Sequence, residues 1–403
     1  MFNRRDFLTT LGGVGVLSLP AVSALSSASA FAQTQSATGK SGYQRLLILV
    51  ELRGANDGLN TFIPYADDAY YALRPTIGVK RDQVLKVDDR FGLHPALEVL
   101  VPMWQKGEVA AVTGLGYPKP NLSHFRSIEI WDTGSNSSDY LSEGWLARAF
   151  TALAPPKSFV ADGIAVGGGG LGPFAGGARA LSIASTDAFL RQAKLADPHG
   201  RASNAALQHI LRLEGEAQSA ALNLNPKAVL KTEFPTHGFG QQSKTAMQIV
   251  AASPGVAALR IGLGSFDTHQ GQQGTQQALL KQLAEGIAAI KQACLELGRW
   301  QDTTIVTYCE FGRRAKENQS AGTDHGTANT QFVIGGSVKG GIKGAAPSLT
   351  QLSGDGNLIY TTDYRALYAS VLRDWWKLSA AQTEGVLGGN YAPLPLFERL
   401  QGG

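Results

Sequence analysis

The sequence predicts an α/β fold, a mainly parallel sheet covered by helices, and three features of the chain predict it. Short apolar runs rich in β-formers recur, amphipathic stretches separate them, and polar, glycine-bearing segments follow their ends. The runs are 46–50 (LLILV), 109–112 (VAAV), 256–261 (VAALRI), 304–308 (TIVTY) and 331–334 (QFVI). Between the third and fourth, Leu279, Leu280, Leu283, Ile287, Ile290 and Leu297 recur at helical spacing, which predicts a helix over about 276–297 with that face in the core. No internal repeat is present, so the 48 glycines belong to loops rather than to a fibre.

The middle of the chain has a different texture. Residues 155–179 are rich in glycine and proline, and 167–170 is a tetraglycine. A phosphate-cradling loop would end in Gly-Lys-Ser/Thr, which is absent, so the stretch reads as a flexible surface segment. Polar-faced helices follow at 188–195 and 205–222, and 151–250 as a whole is expected to form a cap or insertion.

Residues 1–32 read as an address. Asn3-Arg4-Arg5-Asp6-Phe7-Leu8 is a twin-arginine pattern, followed by an uncharged apolar run to Leu25 and by the small-x-small Ala30-Phe31-Ala32. Gly12, Gly13, Gly15, Ser18 and Pro20 make that run a poor spanning helix, so no stable membrane anchor is expected. The expectation is cleavage after Ala32, passage through the twin-arginine translocase as a folded protein, and a periplasmic or secreted chain working as one domain over 33–403.

Charge excludes one class of partner. The net charge is +4, and removing Arg4, Arg5 and Asp6 leaves +3, with the basic residues scattered, so no nucleic acid is expected. The two cysteines, Cys294 and Cys309, fall near the end of the predicted helix and at the far end of the next strand, on the order of 10 Å apart by the rises of the two elements. Free buried thiols are expected.

In open α/β sheets ligands gather beyond the carboxyl ends of strands. The first strand leads to Glu51, Arg53 and Asp57, the second to Ser123 and His124, the third to Asp267 and His269, and the fourth to Glu310 and Arg313. The segment GTDHGTAN, with Asp324 and His325 between Gly322 and Gly326, precedes the fifth strand and so returns to the same rim. Carboxylates and neutral imidazoles suit zinc, manganese or iron, whereas any one Asp–His pair alone is equally an ordinary loop cap or ion pair. Ser123 is open to two roles, as the N-cap of the helix after it and as a nucleophile at the positive end of that helix. His94, His199, His209 and His237 lack acidic company and are expected to cap, to lie at the surface or to pack in the core.

Several of these segments, taken in order, resemble the exported Domain of Unknown Function 1501 family of the alkaline phosphatase and sulfatase superfamily. They are Leu52 to Asn60 (LRGANDGLN), Ser123-His124-Phe125, Phe266-Asp267-Thr268-His269, Glu310-Phe311-Gly312-Arg313, Thr323-Asp324-His325-Gly326 and Thr361 to Arg365 (TTDYR), spread over nearly all of the mature chain. The resemblance implies a three-layer α/β/α sandwich of alkaline phosphatase-like type and one or two divalent ions, zinc or manganese. Asp267, His269 and His325 look like one ligand set. Glu310, Ser123 and either Glu51 or Asp57 look like the second, with Asp324 a further candidate. Where the superfamily commonly has Asp-His, this chain has Glu310-Phe311, and phenylalanine cannot ligate.

Two function classes follow. One is an exported metal-dependent hydrolase of phosphate or sulfate esters, in which Ser123 attacks, His124 shuttles a proton and Arg53 or Arg313 holds peripheral oxygens of a small anionic ester. The other is a non-catalytic exported protein of the same fold that binds a ligand or partner. A Ser-His-Asp triad hydrolase has less support, since no Gly-x-Ser-x-Gly elbow occurs.

Overall fold

The computed structural model describes residues 42–194, 204–225 and 228–397. The twin-arginine segment and His199 lie outside the described residues. The strands in chain order are β1 (Leu46–Leu52), β2 (Phe62–Ile63), β3 (Leu85–Lys86), β4 (Gly92–Leu93), β5 (Val109–Gly116), β6 (Ala161–Val166), β7 (Ala180–Ile183), β8 (Val256–Leu263), β9 (Thr303–Tyr308), β10 (Asn329–Gly335), β11 (Gly341–Lys343) and β12 (Thr362–Asp363). Among the described residues, nine strands form one sheet in the order β11-β5-β10-β9-β1-β8-β6-β7, with β12 also paired to β5. Only β10 runs against the others, pairing antiparallel with both β5 and β9. A small antiparallel sheet, β2-β4-β3, stands apart.

The helices are α1 (Gly58–Thr61), α2 (Asp68–Leu73), α3 (Val101–Gln105), α4 (His124–Thr133), α5 (Trp145–Ala152), α6 (Thr186–Ala193), α7 (Ala205–Leu222), α8 (Gly238–Ala252), α9 (Gln272–Glu296), α10 (Tyr364–Ala369) and α11 (Ala380–Leu387). None in the described chain is long and apolar enough to cross a membrane. Strand β1 shows why the molecule has three layers. Leu46, Ile48, Val50 and Leu52 join the core under α7, α8 and α9, whereas Leu47 and Leu49 join the opposite core under α4, α5, α10 and α11. A strand buried on both faces reads as a continuous apolar run, as this one does.

All five strands expected from the apolar runs are present. The glycine-rich stretch is where expectation and structure part. Residues 155–179 are a surface segment only in part: the tetraglycine 167–170 is largely exposed, but the stretch also holds β6, buried along its length and paired in parallel with β8 on one side and β7 on the other. Its sequence, ADGIAV, is low in apolar bulk because the ring of Phe174 packs where a Cβ of Gly163 would sit, 2.4 Å away. The stretch 151–250 thus supplies two strands of the sheet, and its helices α7 and α8 pack Ala217, Ala220, Phe239 and Met247 into the core.

Helix α9 begins at Gln272, four residues before the expected start, because Gln272 and Gln276 face inward to a polar network rather than to apolar core. Gln272 Nε2 donates to Asp57 Oδ2 at 2.5 Å, and Gln276 Nε2 donates to the Asp57 carbonyl at 2.9 Å. Cys294 and Cys309 are free and buried. His94 and His237 are both N-caps, accepting the Ala96 and Gly240 N–H groups through Nδ1 at 3.0 and 3.1 Å. His209 lies on α7.

Candidate metal centre

Loops leaving β1, β5, β8 and β9 meet beyond the carboxyl edge of the sheet, and 322–328 enters β10 from that same edge because β10 runs antiparallel. These segments carry His124, the first residue of α4, then Asp267 and His269 after β8, and His325 before β10. An isolated bridge between Arg313 and His325 joins the β9 loop to the β10 approach.

The three imidazoles present Nε2 toward one another. His325 Nε2 lies 3.1 Å from the Nε2 of His124 and 3.1 Å from the Nε2 of His269. The Asp267 carboxylate is 3.3 Å from His124, 3.1 Å from His269 and 3.3 Å from His325. His124, Asp267 and His325 each offer a ligand atom within 4.8 Å of the other two. Donors around a tetrahedral zinc with bonds of about 2.0–2.1 Å stand roughly 3.3 Å apart, so these spacings fit one cation.

Each ring is anchored by its other nitrogen. His124 Nδ1 is 2.7 Å from Glu310 Oε1, His269 Nδ1 is 3.2 Å from Asp324 Oδ1, and His325 Nδ1 is 2.8 Å from the Leu122 carbonyl. Carbonyl and carboxylate oxygens only accept, so in the neutral rings these contacts place the proton on Nδ1 and leave a lone pair on Nε2. Three such lone pairs and a carboxylate crowded at 3.1–3.3 Å repel unless a cation lies among them. Absent a cation, protonation of His124 relieves part of the crowding. The hydrogen bond to Glu310 raises its pKa against the lowering effect of burial, and the charges of Glu310 and Asp267 add to the rise.

Arg313, expected to grip substrate oxygens, is fully buried and committed to the protein. It donates to the carbonyls of Ala55, Thr323, Gly54 and Phe266 and to Asp267 Oδ1 at 2.5 Å. It therefore ties three loops together and aims Asp267. Burial raises the Asp267 pKa, but the Arg313 hydrogen bond and charge, with His124 and His269, outweigh it and hold the carboxyl below its ordinary range. Asp324 is also lowered, mainly by the Asn318 hydrogen bond.

The second expected ligand set does not assemble. Asp57 forms a buried pair with Arg74, at 2.5 and 3.0 Å, and caps α1 through Leu59 N. Glu51 Oε2 sits 3.3 Å from Arg260 and 3.5 Å from Arg53, so guanidinium charge already neutralises it. Glu310 and Asp324, expected as ligands, stand behind His124 and His269 and orient them. Ser123 occupies the N-cap position of α4, yet its hydroxyl makes no cap bond and is exposed. The side chain that reaches the cluster from this turn is that of His124. Phe311 packs against the rings of His124 and His325, with centroids 4.9 and 4.8 Å away, and forms an apolar wall.

Sequence reasoning missed His124 as a ligand and passed over Arg260 and Asp132. Arg260 was visible as the lone charge in an apolar strand. Asp132, on α4, accepts from the Tyr308 hydroxyl at 3.3 Å, and burial pushes its pKa up to about 7 against the lowering effect of Arg260.

Residues 44–387 match the family model described as "Protein of unknown function (DUF1501)". No curated protein matches the chain. Among solved structures, Ps i-CgsB in complex with k-i-k-neocarrahexaose is 10% identical with a TM-score of 0.38, covering 86% of this chain and 74% of that one. The lipoteichoic acid synthase LtaP from Listeria monocytogenes is 11% identical with a TM-score of 0.32, over 73% of this chain and 65% of its own. The phosphonate monoester hydrolase of Agrobacterium radiobacter is 10% identical with a TM-score of 0.33, over 72% and 68%.

Proposed function

The chain belongs to the DUF1501 family, and from its rim chemistry we propose an exported, metal-dependent hydrolase of phosphate or sulfate esters. One observation carries the reading: three Nε2 lone pairs and the Asp267 carboxylate converge while every outer imidazole nitrogen is anchored. His124, Asp267, His269 and His325 would hold the ion, and a set of imidazoles with one carboxylate suits zinc or manganese. A divalent cation there supplies positive charge to developing oxyanions and lowers the proton affinity of a nearby hydroxyl. One ion is the count this donor set supports, since Glu51 and Asp57 are paired with arginines.

The chain's own groups supply the rest. Ser123, exposed and uncommitted at the start of α4, attacks phosphorus or sulfur as the ester oxygen departs with the alcohol, and water later releases the anion. The Arg53 side chain, 43% exposed, is available for peripheral oxygens of the substrate. Phe311 keeps water from beneath the imidazoles. Export follows from the twin-arginine segment, with 33–403 as the working unit in the periplasm or outside the cell.

The test is metal analysis of mature protein folded in the cytoplasm, followed by a screen of phosphate and sulfate mono- and diesters. About one divalent ion per chain is expected, with turnover that falls at least about 10³-fold in Ser123→Ala. A protein that takes up no divalent ion, or a Ser123→Ala variant with full esterase activity, overturns it. The second reading, a non-catalytic exported protein that binds a ligand or partner, is favoured by the lack of any hydrogen bond between the Ser123 hydroxyl and the four cluster residues. Bound metal with no turnover across the whole panel would support it.

A further inference from the structure

The Arg53 side chain folds back across the end of β8. Glu51 and Gly262 are partners in the β1–β8 register, and Arg53, two residues beyond Glu51, lies over Gly262. A Cβ built on Gly262 would stand 3.0 Å or less from Nη2, Nε and Cζ of Arg53, and those are its three nearest atoms. The guanidinium therefore occupies the space that any side chain at 262 would take. Gly264 is different: a Cβ there would meet only the Arg53 Cβ, 4.0 Å away. Neither glycine has a positive φ, so the missing side chain at 262 answers to Arg53 and not to the backbone.

Glu51 closes one edge of this seat. Its Oε2 is 3.5 Å from Arg53 Nε and 3.3 Å from Arg260 Nη2, so one buried carboxylate is shared between two guanidinium groups. Glu51 Oε2 and Arg53 Nε are both buried, and neither makes a hydrogen bond. Charge alone draws Arg53 inward by its Nε edge, across a gap too long for a good hydrogen bond, and Arg260 takes up part of the Glu51 charge. The Nη groups of Arg53 form no hydrogen bond among the described residues either, and the side chain is 43% exposed. The next residue, Gly54, gives its N–H to Glu310 Oε1, the oxygen that holds His124, so the seat adjoins the metal centre. We propose that Gly262 and Glu51, with Arg260 behind, position Arg53 as an oxyanion clamp whose Nη edge meets a phosphate or sulfate group at the rim. This rests on the reading of the rim as an ester-hydrolysing site. A guanidinium fork matches two oxygens of such a group, and one already seated against Gly262 loses less side-chain freedom on binding than a free one would.

Calorimetric titration of the mature protein, folded in the cytoplasm, with inorganic phosphate and with inorganic sulfate tests the seat. Arg53→Gln is expected to weaken the tighter anion roughly 10- to 100-fold, the worth of a charge-assisted hydrogen bond. Gly262→Ala removes no charge and no hydrogen-bonding group, and is expected to weaken it about tenfold, while Gly264→Ala binds like the parent. With both Gly262→Ala and Arg53→Gln the affinity should equal that of Arg53→Gln alone, because the methyl then has no guanidinium to displace. A merely structural effect of the methyl would persist in that double variant. The proposal falls if neither anion binds the parent, if Gly262→Ala binds like the parent, if Gly264→Ala loses as much as Gly262→Ala, or if the two losses add. Metal content and ester turnover on the same samples separate the two readings. The expected binding pattern without turnover overturns only the hydrolase, and turnover with an unaffected Gly262→Ala overturns only the seat.

Discussion

Glu310 holds His124 by the outer nitrogen at 2.7 Å while also accepting from Gly54 N at 2.9 Å, so one carboxylate fixes both a ring and the loop beneath it. Its other oxygen is buried without a hydrogen bond. Replacing it by glutamine removes the charge that makes the imidazole a strong donor. Glu310→Gln is expected to weaken metal binding by roughly 10- to 100-fold in a chelator competition, with Ser123→Ala unchanged in the same assay. His94 gives a residue-scale pH prediction. Its pKa is lowered to about 4 by burial, well below the ordinary value of 6.5. Between those two values the unfolded chain binds the extra proton, so the stabilisation is complete above about pH 6.5 and is lost as pH falls toward 4. The loss amounts to about 3 kcal/mol, from roughly 1.4 kcal/mol per pKa unit. Urea unfolding at pH 7 and pH 4.5 should show this slope in the parent and a flatter one in His94→Asn.

Among the described residues, four of the five non-glycine residues with positive φ lie on loops that build the metal centre: Ala55 after β1, Lys119 before α4, Ser265 after β8 and Ala321 before His325. Strand ends thus turn sharply to aim a side chain, and a Cβ in that region of backbone space is strained. Ser265, at φ 77°, precedes Phe266 and Asp267, so Ser265→Gly is expected to stabilise the fold by about 1 kcal/mol in urea unfolding. An unchanged or lower midpoint would show that the turn carries no strain. The element that follows β6 behaves in the opposite sense. At Gly172, with φ 52°, an added Cβ would stand 2.0 Å from Arg260 Nη1 and 3.0 Å from Asp132 Oδ2. Gly172→Ala is therefore expected to destabilise by about 2 kcal/mol.

Across the whole molecule, the candidate ligands arrive from β5, β8 and β10, which are not all neighbours in the sheet. A cation bound among them would link loops that the sheet alone holds only at their bases. Because it binds the folded state, it adds stability by mass action, about 2.7 kcal/mol at a hundredfold excess over Kd. Thermal melts with and without zinc or manganese should show a rise in Tm that disappears in His325→Ala. An equal rise in that variant would place the ion elsewhere.

The layered α/β plan, its five main strands and the rim as the place where acids and imidazoles collect were legible in the sequence, because apolar period and strand-end chemistry are local properties. That Asp267, His269 and His325 form one set was implied by the family resemblance, and the structure brings the three side chains together. The strand β6 was not legible, since its Ala and Gly residues are chosen by the ring of Phe174 across the layer and carry no apolar signal of their own. Nor could order along the chain separate His124 from Ser123, or show that Asp57 and Arg313 are spent on buried partners. Which of two adjacent side chains points into a cluster is set by where the helix start is docked, and which charge is free is set by what packs against it. Both are decided by contacts between residues hundreds of positions apart, such as Gly54 with Glu310 and Arg313 with Ala55, and only the tertiary structure brings those contacts into being.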